Sequence, residues 1–333
     1  MHPFNCLIYY QSSDLVLLIM EGFDVTWPIA RHLDRRVHVF NIVPYNLKRE
    51  SLEELSSRWR DVQFSIVMLM NTPEQVDWAK QVGLSALFVN HNCWLDDGIF
   101  APSGTKGKRT YSAIINSRPF NWKRIYLADK IEDLAWIKGG DYTDGQKWHW
   151  NPWYRSYGYV NLEPLDCNRV NRLLNRSEMG LILSGSTSTG ATGEEESDLQ
   201  GDLEGACYST GEYLLCGLPV ISTISEGGRD VWLNDGNSVI CRPDREGVYE
   251  AYRAMLDRIR SHGVDRKSIR DRFLQQRDSM RSTFIEYTRR ILERHGIDID
   301  PHAHFKTIFR HKMVDYSTTT EDVLGKIGIL TTR

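Results

Sequence analysis

The chain has no excess of either charge: 41 Lys and Arg stand against 44 Asp and Glu in 333 residues, a formal net charge of −3. Nucleic-acid binding needs a concentrated basic field, so nucleic acid is not an expected partner. Cysteine is sparse and unpatterned. Cys6, Cys93, Cys167, Cys207, Cys216 and Cys241 include no Cys-x-x-Cys pair, which argues against structural zinc and a redox dithiol and for reduced thiols in the cytoplasm. Long apolar runs are missing too. Leu15-Val-Leu-Leu-Ile-Met20 is the longest near the start, far short of the roughly 20 residues that span a bilayer. It follows Asp14 and no basic leader, so it reads as a strand and not as a signal peptide.

What is present is a large apolar complement, 41% of residues, in a chain longer than the roughly 250 to 300 residues at which one core stops growing. Two domains are expected. Short apolar runs alternate with amphipathic stretches, the pattern of βαβ units and a parallel sheet. In the first half 15–20, 37–43, 64–70 and 86–90 read as strands, and 27–33, 52–60 and 72–82 as helices, the last opened by Asn71-Thr-Pro-Glu74 as a capped start with proline in its first turn. The glycine-rich, charged stretch 101–109 reads as a linker. Beyond it, strands are expected at 111–116, 158–162, 180–183, 220–224 and 238–241, and helices at 123–136, 167–176, 209–216, around Val231 and at 248–262. Residues 266–295 read as basic helix, and the last residues have no clear period. Residues 184–203 are small, polar and acidic, a loop composition.

The richest segment is Glu204-Gly-Ala-Cys-Tyr-Ser-Thr-Gly-Glu212-Tyr-Leu-Leu-Cys-Gly217-Leu-Pro219-Val-Ile-Ser-Thr223. Ser209 and Thr210 are candidates to cap a helix, which Gly217 and Pro219 then end. The free N–H groups and dipole of a helix start, here at Ser209, Thr210 and Gly211, suit a diphosphate. Two nearby carboxylates, Glu204 and Glu212, suit sugar and ribose hydroxyls.

This segment resembles the retaining family-4 (group 1) glycosyltransferases, whose signature is Glu, seven residues, Glu and a short helix ending in Gly-x-Pro-Val. The resemblance implies an α/β fold of the GT-B type, two Rossmann-like doubly wound parallel-sheet domains facing a cleft. It implies that Glu204 holds donor-sugar hydroxyls and Glu212 the ribose. Ile115-Asn-Ser-Arg118-Pro-Phe-Asn-Trp-Lys123-Arg124 is similar to the family's strand followed by an Arg and a Lys that clamp the diphosphate. Arg118 and Lys123 are the candidates, with Arg124 an alternative arginine and a solvated basic helix start the bland reading. Cations there would stabilise charge building on the leaving group.

His91, after a strand of the first half, matches a cleft histidine of the family, although a lone His also serves structure. Gly227 and Gly228 match a glycine pair near the ligand, or form a plain turn. Arg229 would hold an anion, or pair with Asp230 or Asp235. Gly22 is the candidate for the family's N-terminal glycine loop. The aromatic cluster Tyr142, Trp148, His149, Trp150, Trp153, Tyr154, Tyr157 and Tyr159 reads as packing before sugar stacking. His302, His304 and His311 lack the companions of a metal site, and Glu194–Glu196 reads as solvated.

The expectation is therefore an acceptor-side domain over 1–105, a nucleotide-sugar domain over 106–290 and a tail, 291–333, that crosses back. The implied activity is transfer of a sugar from a UDP- or GDP-sugar to a glycan, lipid-linked or small-molecule acceptor with retained configuration. The sugar nucleotide is a substrate, and no cofactor or metal is expected. Peripheral contact with the inner face of a membrane is compatible with this reading. The alternatives are a catalytically silent sugar-nucleotide-binding protein and a GT-B-fold nucleotide-sugar epimerase or phosphorylase.

Overall fold

The computed structural model describes residues 4–103, 109–118, 121–138, 160–162, 165–185 and 204–329. They form two compact units. One comprises the chain up to Trp94 together with the chain from Arg277 onward, the other Leu95–Gln276. This differs from the expected division at residues 105 and 290. Ala101 and Ser103, expected in a linker, are tied into the second unit: their N–H groups donate to the side-chain oxygens of Asn171 and Asn175 at 3.2 and 2.7 Å.

The first unit holds a six-stranded sheet. Strands β2 (Val16–Glu21), β3 (Val37–Ile42), β4 (Ser65–Met70) and β5 (Ser85–Phe88) run parallel in that spatial order. The run Val16–Met20 has no polar face because it is buried on both, at 0% exposure throughout, as a strand covered on two sides requires. Each such Leu or Ile contributes about 1.5–3 kcal/mol. Helices α1 (Arg49–Arg58) and α2 (Pro73–Gln81) connect the parallel strands. The Thr72 hydroxyl caps α2, accepting from Gln75 N at 3.1 Å. The helix expected at 27–33 is instead a single 3-10 turn, Ala30–His32. An Asx turn stops it, with the Asp34 carboxylate accepting from Arg36 N at 2.9 Å.

Two strands of this sheet went unread in the sequence. Strand β1 (Phe4–Gln11) lies antiparallel to β2, and β12 (Asp315–Thr318) lies antiparallel to β1. The helix that follows, α8 (Thr320–Lys326), is opened by a capping box of Thr319 and Asp322. Its Val323 and Leu324, with Ile327, join the core around β2.

The second unit is a six-stranded, all-parallel sheet in the order β11 (Ser238–Cys241), β10 (Val220–Thr223), β9 (Gly180–Ile182), β6 (Ala113–Ser117), β7 (Leu134–Lys138), β8 (Val160–Leu162). From β6 the chain steps outward through β7 and β8, then returns to β9 on the other side of β6 and steps away through β10 and β11. The winding reverses between β6 and β9. Helices α3 (Cys167–Asn175), α4 (Tyr208–Leu215) and α5 (Arg245–Arg260) belong to this unit. The helix expected over 123–136 is corrected to two 3-10 turns, Asn121–Lys123 and Ile125–Ala128, followed by β7. Left-handed backbone at Arg124 (φ 45°) and Asp133 (φ 53°) interrupts it, and Leu134–Ile137 is buried as a central strand. Helix α6 (Arg266–Arg294) carries the chain from this unit back to the residues of the first. Helix α7 (Pro301–Ile308) follows, capped by Asp300.

Candidate functional site

In open parallel sheets ligands bind beyond the carboxyl ends of the strands, where the winding reverses. In the second unit a concavity lies there, lined by Ile115–Ser117 at the end of β6, Leu181–Ser184 at the end of β9, Lys123, Cys207 and Ser209. Cys207 is the N-cap of α4, with its Sγ 3.3 Å from Thr210 Oγ1. The expected capping by Ser209 and Thr210 is thus shifted. Tyr208, Ser209 and Thr210 open the helix, with Gly211 next, and Thr210 N donates to Cys207 O at 3.1 Å; a helix start of this kind carries the positive end of the dipole.

Lys123 forms an ion pair with Glu204. The Glu204 side chain is only 10% exposed, and its Oε2 is buried without a hydrogen-bond partner among the described residues. Burial by itself would raise the Glu204 pKa. The charges of Lys123 and Arg229 outweigh it and hold the carboxyl below its usual range. Gly227 packs against this residue so closely that a Cβ would stand 2.0 Å from the Glu204 carbonyl oxygen. Gly228 adopts φ 99°. That contact requires glycine at 227, where a plain turn would not.

Arg124 is 8% and Arg229 1% exposed. Arg124 Nε donates to Leu183 O at 2.7 Å and its Nη2 to Thr223 Oγ1 at 3.0 Å. Arg229 donates to Ser184 Oγ at 2.8 Å, Ser184 O at 2.6 Å and Thr223 O at 2.8 Å. The two guanidinium groups therefore tie together the ends of β9 and β10. Neither expected partner of Arg229, Asp230 or Asp235, takes its side chain in these hydrogen bonds. Burial, helped by the neighbouring Arg229 charge, pulls the Arg124 pKa below its usual range. Lys123, Arg124 and Arg229 thus place three cations around one carboxylate, an excess that favours an anionic ligand. Arg118, the other clamp candidate, is exposed at the end of β6, and no hydrogen bond joins it to another described residue.

Glu212 is buried in α4, and its Oε2 accepts from Asn116 Nδ2 at 2.7 Å. Asn116 N donates to Tyr213 Oη, also at 2.7 Å. The Tyr213 ring lies where a Cβ on Gly180 would approach it to 2.3 Å. Sequence reading missed Asn116, although it stands inside the strand segment that carried the resemblance.

In the first unit, His91 and Gly22 both lie at the carboxyl edge of the parallel strands. Gly22 adopts φ 64° directly after β2, with the Tyr45 hydroxyl 3.0 Å from where its Cβ would be. His91 is buried; its N–H donates to Asn71 Oδ1 at 2.9 Å, and its ring Nε2 lies 3.1 Å from Glu21 Oε1. Glu21 was not a candidate. It ends the apolar run Leu15–Met20, and a carboxylate closing a central strand was the available signal. Burial would raise its pKa, but hydrogen bonds from His91 and Asn5 lower it from 4.5 to about 2. Its contribution to stability is thus full above pH 4.5 and is lost as pH falls through about 2.

His304 Nε2 is engaged with Tyr9 O at 2.7 Å. Among the described residues no group of three His, Cys, Asp or Glu is placed to hold a metal. Asp298-Ile-Asp300 spells an Asp-x-Asp pair, and Asp300 is the helix cap, accepting from His302 N and Ala303 N. No described helix is long and apolar enough to cross a membrane. The aromatic cluster 142–159 and residues 186–203, including Glu194–Glu196, lie outside the described residues.

No protein-family model matches the chain, and no curated protein matches it. Solved structures do. HepE of Anabaena, in complex with UDP, superposes with a TM-score of 0.57 at 12% identity over 76% of this chain and 72% of HepE. The fold is GT-B. TarM shares it, with a TM-score of 0.56 at 10% identity over 81% of this chain and 54% of TarM. The pneumococcal O-GlcNAc transferase GtfA, in complex with UDP and GlcNAc, gives 0.50 at 12% identity over 78% of this chain and 53% of GtfA. At such identities the likeness shows the GT-B fold, and the chemistry is argued from the residues.

Proposed function

We propose that this protein is a retaining glycosyltransferase of the family-4 type, transferring a sugar from a UDP- or GDP-sugar to a hydroxyl acceptor. The observation that carries the reading is the part-buried Glu204–Lys123 pair beside the α4 N-terminus, at the point where the sheet winding reverses. The donor diphosphate would meet the positive end of the α4 dipole and the Lys123 ammonium, which turns from Glu204 to the phosphate oxygens. Glu204 is then released to accept hydrogen bonds from sugar hydroxyls, and Glu212 to accept them from the ribose. Arg124 and Arg229, fixed beneath the site, add a field that favours the departing diphosphate without reorganising during the reaction.

Support for the retaining type comes from Glu204 and Glu212 at the family's spacing, followed by Gly217-Leu-Pro219-Val220. In that chemistry the leaving phosphate takes the acceptor proton on the face it departs from, and no cofactor or metal is required. His91 and Arg118 complete the proposed catalytic set. Gly22, Gly227 and Gly228 allow close backbone approach. UDP complexes of proteins sharing the fold favour a uridine donor.

Thermal melts with UDP, GDP, ADP and CMP test the binding. A diphosphate should raise Tm and CMP should not; no shift with any of them would sink the proposal. Donor hydrolysis without acceptor should then be measured for the wild type and Glu204→Ala. Activity lost in the variant is expected, and a product of inverted anomeric configuration would overturn retention.

A further inference from the structure

Ser184 stands just beyond β9, buried, and lines the concavity of the second unit. Both of its oxygens are taken by donors: Arg229 Nη1 reaches Oγ at 2.8 Å, and Arg229 Nη2 and Thr223 Oγ1 reach the carbonyl at 2.6 and 2.9 Å. A hydroxyl whose oxygen accepts from a guanidinium still has its own proton to give, and the polarisation makes it a stronger donor. The acceptor beside it is Glu204, whose carboxyl the Ser184 hydroxyl helps to hold below its usual range. Lys123 takes Glu204 Oε1. Glu204 Oε2 is buried with no hydrogen-bond partner among the described residues, so the contact with Ser184 stops short of a formed bond.

A buried carboxylate left without a donor bears the desolvation cost of its charge. That cost arises here when the Lys123 ammonium turns from Glu204 to the diphosphate. We propose that Ser184 is the positioning residue of Glu204: backed by Arg229, its hydroxyl donates to the carboxylate as Lys123 leaves and keeps it in place for the donor sugar. This rests on the reading of Glu204 as the holder of sugar hydroxyls. The chain on both sides of Ser184 is fixed. Arg124 Nε donates to Leu183 O at 2.7 Å, and Arg124 Nη2 lies 2.5 Å from where a Cβ on Gly185 would stand, so the hydroxyl is presented from a preorganised support. Arg229, 1% exposed, reaches the crevice by its field and through Ser184.

The test is carboxyl 13C NMR of the glutamates in the full chain, with Glu204 assigned by its loss in Glu204→Gln. Lys123, Arg124 and Arg229 are the charged groups that face the carboxylate, and Ser184→Ala keeps all three while removing the hydroxyl. The Glu204 titration midpoint should rise by about half a pH unit or more; an unmoved midpoint in the folded variant overturns the proposal. Should Ser184→Ala fail to fold, Ser184→Cys, similar in shape and a weaker donor, should move the midpoint in the same direction, and an unmoved midpoint there counts equally against it. In turnover, kcat/KM for the sugar nucleotide that the wild type hydrolyses should fall about tenfold further than affinity for its nucleoside diphosphate, which carries no sugar for Glu204 to hold. Equal losses, the mark of a merely deformed crevice, overturn the proposal too. The titration needs no substrate. A chain that consumes no sugar nucleotide but shows the midpoint shift refutes the transferase reading and leaves the coupling of Ser184 to Glu204 standing.

Discussion

The two units use one sheet type to make two different carboxyl edges. In the second unit the strands wind away from β6 in both directions, so the ends of β6 and β9 part and leave a crevice. Lys123, Arg124 and Arg229 gather there around Glu204. In the first unit the parallel strands β2 to β5 wind in one direction only, and the other side of β2 is filled by antiparallel β1 and β12. No reversal opens a crevice in that sheet. Its edge is closed instead by amides, with Asn71 Nδ2 donating to Val43 O at 2.8 Å and Asn90 Nδ2 to Asn71 O at 2.9 Å, around the Glu21–His91 pair. The lesson is that topology decides where an anion can be received, and side chains decide whether it is.

The sharpest way to break this comparison is Gly227→Ala. A Cβ 2.0 Å from the Glu204 carbonyl forces the 226–228 loop or Glu204 to move, and overpacking of this kind costs about 1–3 kcal/mol. Loss of diphosphate binding with a lower melting temperature is expected, and unchanged binding by calorimetry would show that the crevice does not depend on this contact. Lys123→Met acts next. Removing one charge-assisted bond, worth about 1.5–3 kcal/mol, should weaken UDP or GDP affinity about 10- to 100-fold, whereas His91→Ala in the first unit should leave it within about twofold. Equal losses in both variants would erase the distinction between the edges. The smallest effect is expected from Gly22→Ala. Left-handed backbone costs a residue with Cβ about 1–2 kcal/mol, so a chemical-denaturation midpoint should fall modestly.

Much of the second unit was legible because its signals are local. Helix α4 is bounded at its end by Gly217, which adopts φ 69°, and of the two glutamates eight apart Glu212 lies within it and Glu204 just before it. The 123–136 segment was misread because Arg124 and Asp133 adopt left-handed backbone that their residue types do not advertise. Strands β1 and β12 escaped because an antiparallel edge pairing between residues more than 300 positions apart leaves little local periodicity. The partners of Asn116, Glu21 and Arg229 were illegible for a related reason: a polar residue declares its partner only when a distant strand end is brought beside it.

The sequence by itself determined the alternation of apolar and amphipathic segments, the punctuation of α2 and α4, and the chemistry available in Glu204, Glu212, Lys123 and His91, because these depend on neighbours within a few turns. Only the tertiary structure decided that Arg124 and Arg229 lie together beneath Ser184, that Lys123 meets Glu204, and that Glu21 takes the His91 ring. Those pairings arise from which strand ends are adjacent, a property of the sheet order and not of any stretch of chain.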